Sequence, residues 1–466
     1  MPDSESRGGL TAEQRAAFQG FIIATAGGTI AYQLFTGNIL SLFAHGMEFS
    51  PFLIGTLYLA IQVPALMQIW GARYVDRHGG KRLILACWLW SPLTVLSLIL
   101  APQVGAWLGA WAAIAAVFLG AAAFSLFNSV AGAPWWALVG HNLPKPRIAE
   151  LLGKMNRIAM FLGLGATLGF SLFLGERPAI WRFQAMFVIG AAVSAVRAIR
   201  FERVKDSVPS PRESREPLRS ELRSAWSDLS FRRLIIFTAI IFLAGGIVVP
   251  FRPLYVVSLG FSERFAAMLT LPLILGSYGL TAQAWGKLAD RFGSRGVYVL
   301  AGSGVALGQL ILTLPRGNGA LDGAFLVGGL FLGAACWGGF DSGNMRRLYT
   351  IVPGRNPSLY LVIHNVVVSV SLSLGSFLGG VIVKVMRAVI PPPDGAYGFS
   401  RALDYRVLFL CAAVLIVTGI GYSRRMLAME EIPTSRLVIY LRLRTQRWLM
   451  NGLPDAVLRL IRTEEE

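Results

Sequence analysis

Asp341, Arg252 and His364 stand inside stretches of the chain that are otherwise apolar. A carboxylate there could exchange a proton or hold a solute, a guanidinium could attract anions or form a gate near one face, and an imidazole could titrate near neutral pH. Each has a plainer competing reading. Asp341 could pair with Arg346 or Arg347 or be hydrated at a helix end, Arg252 could snorkel beside the helix break expected from Pro250 and Pro253, and His364 beside Asn365 could simply be hydrogen-bonded at a helix start. Asp341 and Arg252 each fall about 18 residues, roughly 27 Å at 1.5 Å per residue, into helices that run in opposite directions. They are therefore expected near opposite faces, which argues against a direct ion pair. Enzyme chemistry finds no support, since there is no Walker loop, no metal-ligand spacing and no nucleophile with a base. Neither a metal nor a cofactor is expected.

The elements that carry these groups follow from composition. The 466 residues are 55% hydrophobic and only 15% charged, with a mean hydropathy of +0.58. Soluble domains are less apolar and carry about 25% charge, so the chain is read as a polytopic, all-helical membrane protein. The net charge of +18 does not mark a nucleic-acid binder, because Lys and Arg sit in short clusters between apolar runs and form no single basic face. Cys87, Cys336 and Cys411 are scattered in apolar segments and read as inert thiols. The polar, acid-containing N-terminus lacks the pattern of a removable signal peptide, so the first apolar run is expected to stay as an anchor.

Runs long enough to cross a bilayer, about 20 residues each, are expected near 18–43, 51–70, 83–101, 107–140, 153–174, 181–199, 234–258, 265–285, 297–314, 323–345, 358–384 and 405–423. The polar, proline-bearing stretch 201–233 divides these twelve candidates into halves at 18–200 and 234–425, flanked by tails at 1–17 and 426–466. Loops holding Arg73, Arg77, Lys81, Arg82, Lys145, Arg147 and Lys154 alternate with loops around 44–50 and 101–106 that hold no Lys or Arg. The bias puts both termini in the cytoplasm, although Arg387 and Arg401 fall in an expected outer loop, and a bacterial-type plasma membrane is the expected setting. The tail from 426 mixes Arg with Leu, Ile and Trp and reads as a basic helix on the cytoplasmic membrane surface, with partner docking as the rival reading.

The halves also repeat one another. GKLADRFGSR at 286–295 has a counterpart in ARYVDRHGGKR at 72–82, and the Pro144 with Asn156 pairing recurs as Pro353 with Asn365 at nearly the same offset. Two matched six-helix halves are the pattern of transporters built from internal repeats, with solute bound between the halves.

The first of these stretches resembles the loop signature of the major facilitator superfamily, G-x-L-A-D-R-x-G-R-K, at Gly286, Leu288, Ala289, Asp290, Arg291, Gly293 and Arg295. The earlier copy keeps Asp76, Arg77, Gly79 and Lys81 but has Ala72 where the opening glycine belongs, with Gly71 one place early. The segment from 250, with its P-x-x-P-L-Y run, is also similar to the seventh and eighth spans of bacterial members, with Arg252 where a bulky apolar residue is commoner. The resemblance implies two pseudo-symmetric six-helix bundles, alternating access, and a role for both loop motifs as a conformational latch; the competing reading is that they set turn geometry alone. Gly286 is expected to permit close helix approach and Gly293 to take a left-handed turn conformation, and Asp290→Asn is expected to impair cycling more than Asp76→Asn.

The resemblance further implies that spans one, four, seven and ten line the cavity. Its candidates are then Tyr32, Gln33, Thr36 and Asn38; Asn128, Trp135 and Trp136; Arg252; and Trp337, Asp341 and Asn344. Trp135 and Trp136 could stack on a ring or belong to an interfacial aromatic belt. A small-molecule solute and the lipid bilayer are the expected partners and a monomer the expected state, with proton or ion coupling left open and the solute unspecified. The rival from another class is a non-transporting assembly factor or sensor that docks through its tail.

Overall fold

A computed structural model describes residues 11–68, 70–71, 80–132, 134–144, 148–202, 204–206, 218–351, 357–390 and 402–426. The expected basic tail, together with Asp76, Arg77, Gly79 and Pro353, lies outside the described residues.

The described chain is almost entirely helical. Its first half contains α1 (Ala12–Phe35), α2 (Asn38–Gly46), α3 (Pro51–Gln62) with a 3-10 turn at Val63–Met67, α4 (Lys81–Leu108), α5 (Ala110–Gly132), α6 (Trp135–Asn142), α7 (Ile148–Leu174) and α8 (Ile180–Phe201). The short α9 (Leu218–Ser227) precedes α10 (Leu229–Val248), a 3-10 turn at Val249–Phe251, α11 (Arg252–Ser258) and α12 (Glu263–Met268). A π-helical turn at Leu269–Leu273 leads into α13 (Ile274–Phe292), followed by α14 (Ser294–Ile311), α15 (Ala320–Ile351), α16 (Pro357–Val389) and α17 (Leu403–Ser423). Among the described residues nine helices are long and apolar enough to cross a membrane. Each of the twelve apolar runs expected from sequence falls on one helix or on consecutive helical segments.

Capping explains where several helices start. Thr11 and Gln14 form a reciprocal capping box before α1, and the side chains of Ser50, Asp228 and Ser262 accept from the opening amides of α3, α10 and α12. The loop expected at 101–106 is absent: α4 runs through Pro102 and turns at Gly109, where φ is 90°. The long run 107–140 becomes α5 and α6.

Glu13, Gly80, Lys81, Asn142 and Lys205 meet at one end of the molecule, here the linker end. Lys205 Nζ lies 2.7 Å from Glu13 Oε2, Asp206 Oδ1 accepts from the amides of Gly80 and Lys81, and Lys81 Nζ donates to the Glu202 carbonyl at 2.6 Å. At the opposite, far end, Arg387 pairs with Asp404 at 2.7 Å and donates to Tyr405 Oη at 3.1 Å, so this exception to the loop-charge bias is locally neutralised.

Within the first half α1 packs on α7 and α8, and α4 on α5 and α8; within the second, α10 packs on α16 and α17, and α15 on α13 and α14. The halves meet along α3 against α16, and along α7 against α12 and α13. A Cβ on Gly55 would lie 2.5 Å from the Ser376 carbonyl, so only glycine permits this approach of α3 to α16. The outward sides carry large apolar residues, among them Leu119 at 67% exposure, Leu280 at 79% and Val414 at 64%. Water would penalise such sides, whereas hydrocarbon accepts them.

Candidate functional site

A cavity of about 320 Å³ lies between the halves. It is built around three local departures from regular helix. The first is the break at Thr36–Gly37 between α1 and α2, where the Gly37 carbonyl accepts from the Leu40 amide at 3.1 Å and from Tyr58 Oη at 2.7 Å, and Tyr58 Oη sits 2.9 Å from Ser41 Oγ. The second is the 3-10 turn at Val249–Phe251, forced by Pro250, which lacks an amide proton. The third is the π-helical turn containing Pro272, in which the Thr270 carbonyl accepts from Asn38 Nδ2 at 2.9 Å across the halves. Non-helical backbone at such depth is tolerated where it lines a cavity, and these turns do so.

Tyr32, Gln33, Thr36 and Asn38 line the first-half side, and Arg252 and Trp337 the second. Arg252 therefore faces the cavity and does not snorkel to the far surface, because the turn at 249–251 redirects the chain before α11. Its Nε is buried, and the guanidinium has no hydrogen bond or ion pair among the described residues. Among the described residues no carboxylate lines the cavity. Trp337 stands edge-on to Phe242, with ring centroids 5.5 Å apart.

Other expected positions lie elsewhere. Asn128 is held by the protein itself: its Nδ2 donates to the Phe124 carbonyl at 2.9 Å, and its Oδ1 accepts from Arg197 Nη2 at 2.6 Å. Trp135 stacks on Phe201 and meets Phe21 edge-on, so it belongs to an aromatic cluster below the cavity; the side chain of Trp136 lies outside the described residues. Asn344 joins Thr238 Oγ1 at 3.1 Å and His364 Nε2 at 3.0 Å, tying α10, α15 and α16 together. His364 is thus buried inside α16 and not at a helix start. Asp341 sits beside the Tyr278 hydroxyl, and Tyr278 lines the cavity. It is not at a helix end, since α15 continues to Ile351. Arg346, one of its expected partners, lies 3.9 Å from Asp290 instead.

The repeated loop motif shows mixed geometry. Gly293 has φ 85°, a conformation costly for other residues, whereas a Cβ on Gly286 would meet nothing within 4 Å, so no close helix approach requires that glycine. Asp290 faces Arg346 of its own half and is 81% exposed, while Lys81 engages residues 202 and 206. Arg291 packs over the Phe292 ring, and Arg295 lies in the first turn of α14.

Sequence reasoning missed Tyr58, Gln62 and Tyr278 on the cavity wall and the buried Arg197. The signal for Arg197 was present: an arginine inside an apolar run, facing the Gly27–Gly28 pair of α1 that leaves room for it.

Residues 16–283 match the family model of the Major Facilitator Superfamily. The chain belongs to the Major Facilitator Superfamily. Similar solved structures agree in fold. The nucleoside transporter NupG superposes with a TM-score of 0.65 at 12% identity, covering 88% of this chain and 99% of that one. A bacterial homologue of the human lysosomal transporter Spinster, inward-facing and unoccupied, gives 0.66 at 15% identity, covering 89% and 97%. A bacterial homologue of the iron transporter ferroportin, also inward-facing, gives 0.60 at 13% identity, covering 89% and 100%. No curated protein matches the sequence. Superfamily membership makes this a multi-pass membrane protein of a transporter family.

Proposed function

We propose that the chain crosses a bacterial-type plasma membrane twelve times as two six-helix bundles, both termini in the cytoplasm, and moves a small solute by alternating access. The observation that carries this reading is the cavity between the halves, closed at the far end. There α2 packs on α11 and α12, Asn38 bonds Thr270, and the Glu263 amide donates to the Glu176 carbonyl at 3.3 Å. Toward the linker end, contact between α7 and α13 includes Met160 against Gly279. With cations clustered at the linker end, the far end is the outer one, and the arrangement corresponds to an inward-facing state, the state named for two of the similar structures.

The solute contacts Gln33, Asn38, Arg252 and Trp337, and Asp341 reaches the cavity through Tyr278, which makes it the candidate for coupling to a proton. A test free of any knowledge of the solute uses spin-label distances in nanodiscs, with Cys87, Cys336 and Cys411 replaced. Labels at Arg82→Cys and Tyr349→Cys report the linker end, and labels at Trp107→Cys and Leu321→Cys the far end. Two populations whose distances change in opposite senses at the two ends are expected; a single distance at both ends under all conditions would sink alternating access.

A further inference from the structure

Arg252 carries a charge into the cavity wall without a counter-charge. A buried, unpaired charge costs folding free energy, and the empty protein bears that cost. A bound anion removes it. Facing the same cavity, Asn38 spends its Nδ2 on the Thr270 carbonyl, which fixes the amide orientation and leaves Oδ1 buried with no partner. That oxygen can only accept, so it calls for a donor from the solute. The rest of the wall joins polar groups, Gln33, Thr36, Gln62 and Ser376 among them, to an apolar and aromatic stretch of Phe242, Leu271, Ile274 and Trp337.

We propose that the solute is an organic monoanion: Arg252 takes its carboxylate, Asn38 Oδ1 takes a hydroxyl or N–H donor of the same molecule, and Phe242 with Trp337 covers its apolar body. A guanidinium matches the planar carboxylate with two parallel hydrogen bonds. One cation with no second lining the site among the described residues fits a single negative charge, and a dianionic phosphate would leave a charge unmatched. This inference rests on the cavity being the solute site of the proposed transporter.

The test uses the purified full-length protein in nanodiscs and a panel of hydroxy- and amino-substituted carboxylates, each paired with its primary amide, for example 4-hydroxyphenylacetate with 4-hydroxyphenylacetamide, together with phenyl phosphate. Thermal shift and tryptophan fluorescence read binding. Carboxylates should stabilise the wild type while their amides do not, and Arg252→Gln should weaken carboxylate binding about a hundredfold. The same variant should melt at a higher temperature than wild type when empty, the reverse of what loss of a merely structural arginine does. Arg252→Lys, which keeps charge but loses the planar fork, should fall between. The proposal is overturned if no carboxylate in the panel binds, if amides bind equally well, if phenyl phosphate binds more tightly than every carboxylate, or if carboxylate affinity survives Arg252→Gln. Should that variant fail to assemble, the wild-type acid and amide pairs decide alone. The spin-label distances do not depend on anion binding, so two conformational populations with no carboxylate selectivity would sink this proposal and leave alternating access standing.

Discussion

Arg197 and Arg252 are both arginines embedded in membrane helices, one in each half, and their surroundings are opposite. Arg197 donates to Asn128 at 2.6 Å and lies 4.0 Å from the centre of the Trp88 ring, above the Gly27–Gly28 step of α1. Its charge is answered by an amide and a π face, although its Nε, like that of Arg252, has no hydrogen-bond partner, and it ties α1, α4, α5 and α8 into one unit. Arg252 is answered by nothing among the described residues and faces empty space. A cation that the fold has matched serves the fold, and one left unmatched beside a cavity is available to a solute. The corresponding node of the second half reinforces the contrast, because Asn344 is matched there by the neutral partners Thr238 and His364.

The contrast can be broken most directly at Arg197. Arg197→Ala deletes the charge-assisted hydrogen bond to Asn128 and leaves a cavity between α1, α4 and α5, and should cost about 2–5 kcal/mol, read as a fall of the melting temperature in detergent. A loss below about 1 kcal/mol would mean that the matching is not structural. Next, Asn128→Ala should cost about 1.5–3 kcal/mol, because it strips a hydrogen bond from a charged group, whereas Asn344→Ala should cost only about 0.5–1.5 kcal/mol for its neutral bonds. Equal losses at the two asparagines would erase the difference between the nodes. Arg252→Leu should move stability the other way, by about 1 kcal/mol in favour of the empty protein, and a lower melting temperature would show that Arg252 is structural after all. The smallest effect is expected at Asp290→Asn. Its ion pair to Arg346 is long and exposed, so the melting temperature should not change, and any role as a latch should appear only in transport rate and exceed that of Asp76→Asn.

Much of the scaffold was legible because bilayer thickness and loop charge are written into linear sequence. The apolar runs and the disruption expected from Pro250 and Pro253 have helical or turn counterparts, whereas the stretch 201–233 lies partly outside the described residues and holds α9 and the start of α10 in its described part. Helix lengths were less legible: the gap between the runs at 83–101 and 107–140 was expected as a loop where α4 continues through Pro102. The site was legible only in part. Tyr32, Gln33, Thr36, Asn38, Arg252 and Trp337 line the cavity, but Asn128 and Asn344 do not, because Arg197, Thr238 and His364 engage them first. Which side chains meet across helices distant in sequence is not encoded in either run alone. A membrane helix is apolar toward lipid and toward its neighbours alike, so hydrophobic pattern gives little sign of its facing, and Tyr58, Gln62 and Tyr278 went unmarked.

The glycine contact between α3 and α16 has a mechanical consequence. At Gly55 and Gly380 backbone rests on backbone, so a small rotation there requires no side chain to change rotamer. In the proposed alternating-access cycle the segment Glu263–Phe292, 30 residues and about 45 Å at helical rise, would serve as a lever arm. A tilt of roughly ten degrees about one end of such a helix carries the other through about 8 Å, enough to unseal a passage. Arg252 lies on the same cavity wall as Gly246 and Ser376, near the fulcrum, where displacement is least. On such a lever, in the proposed cycle, the cargo would barely travel; what would swing past it is the opening.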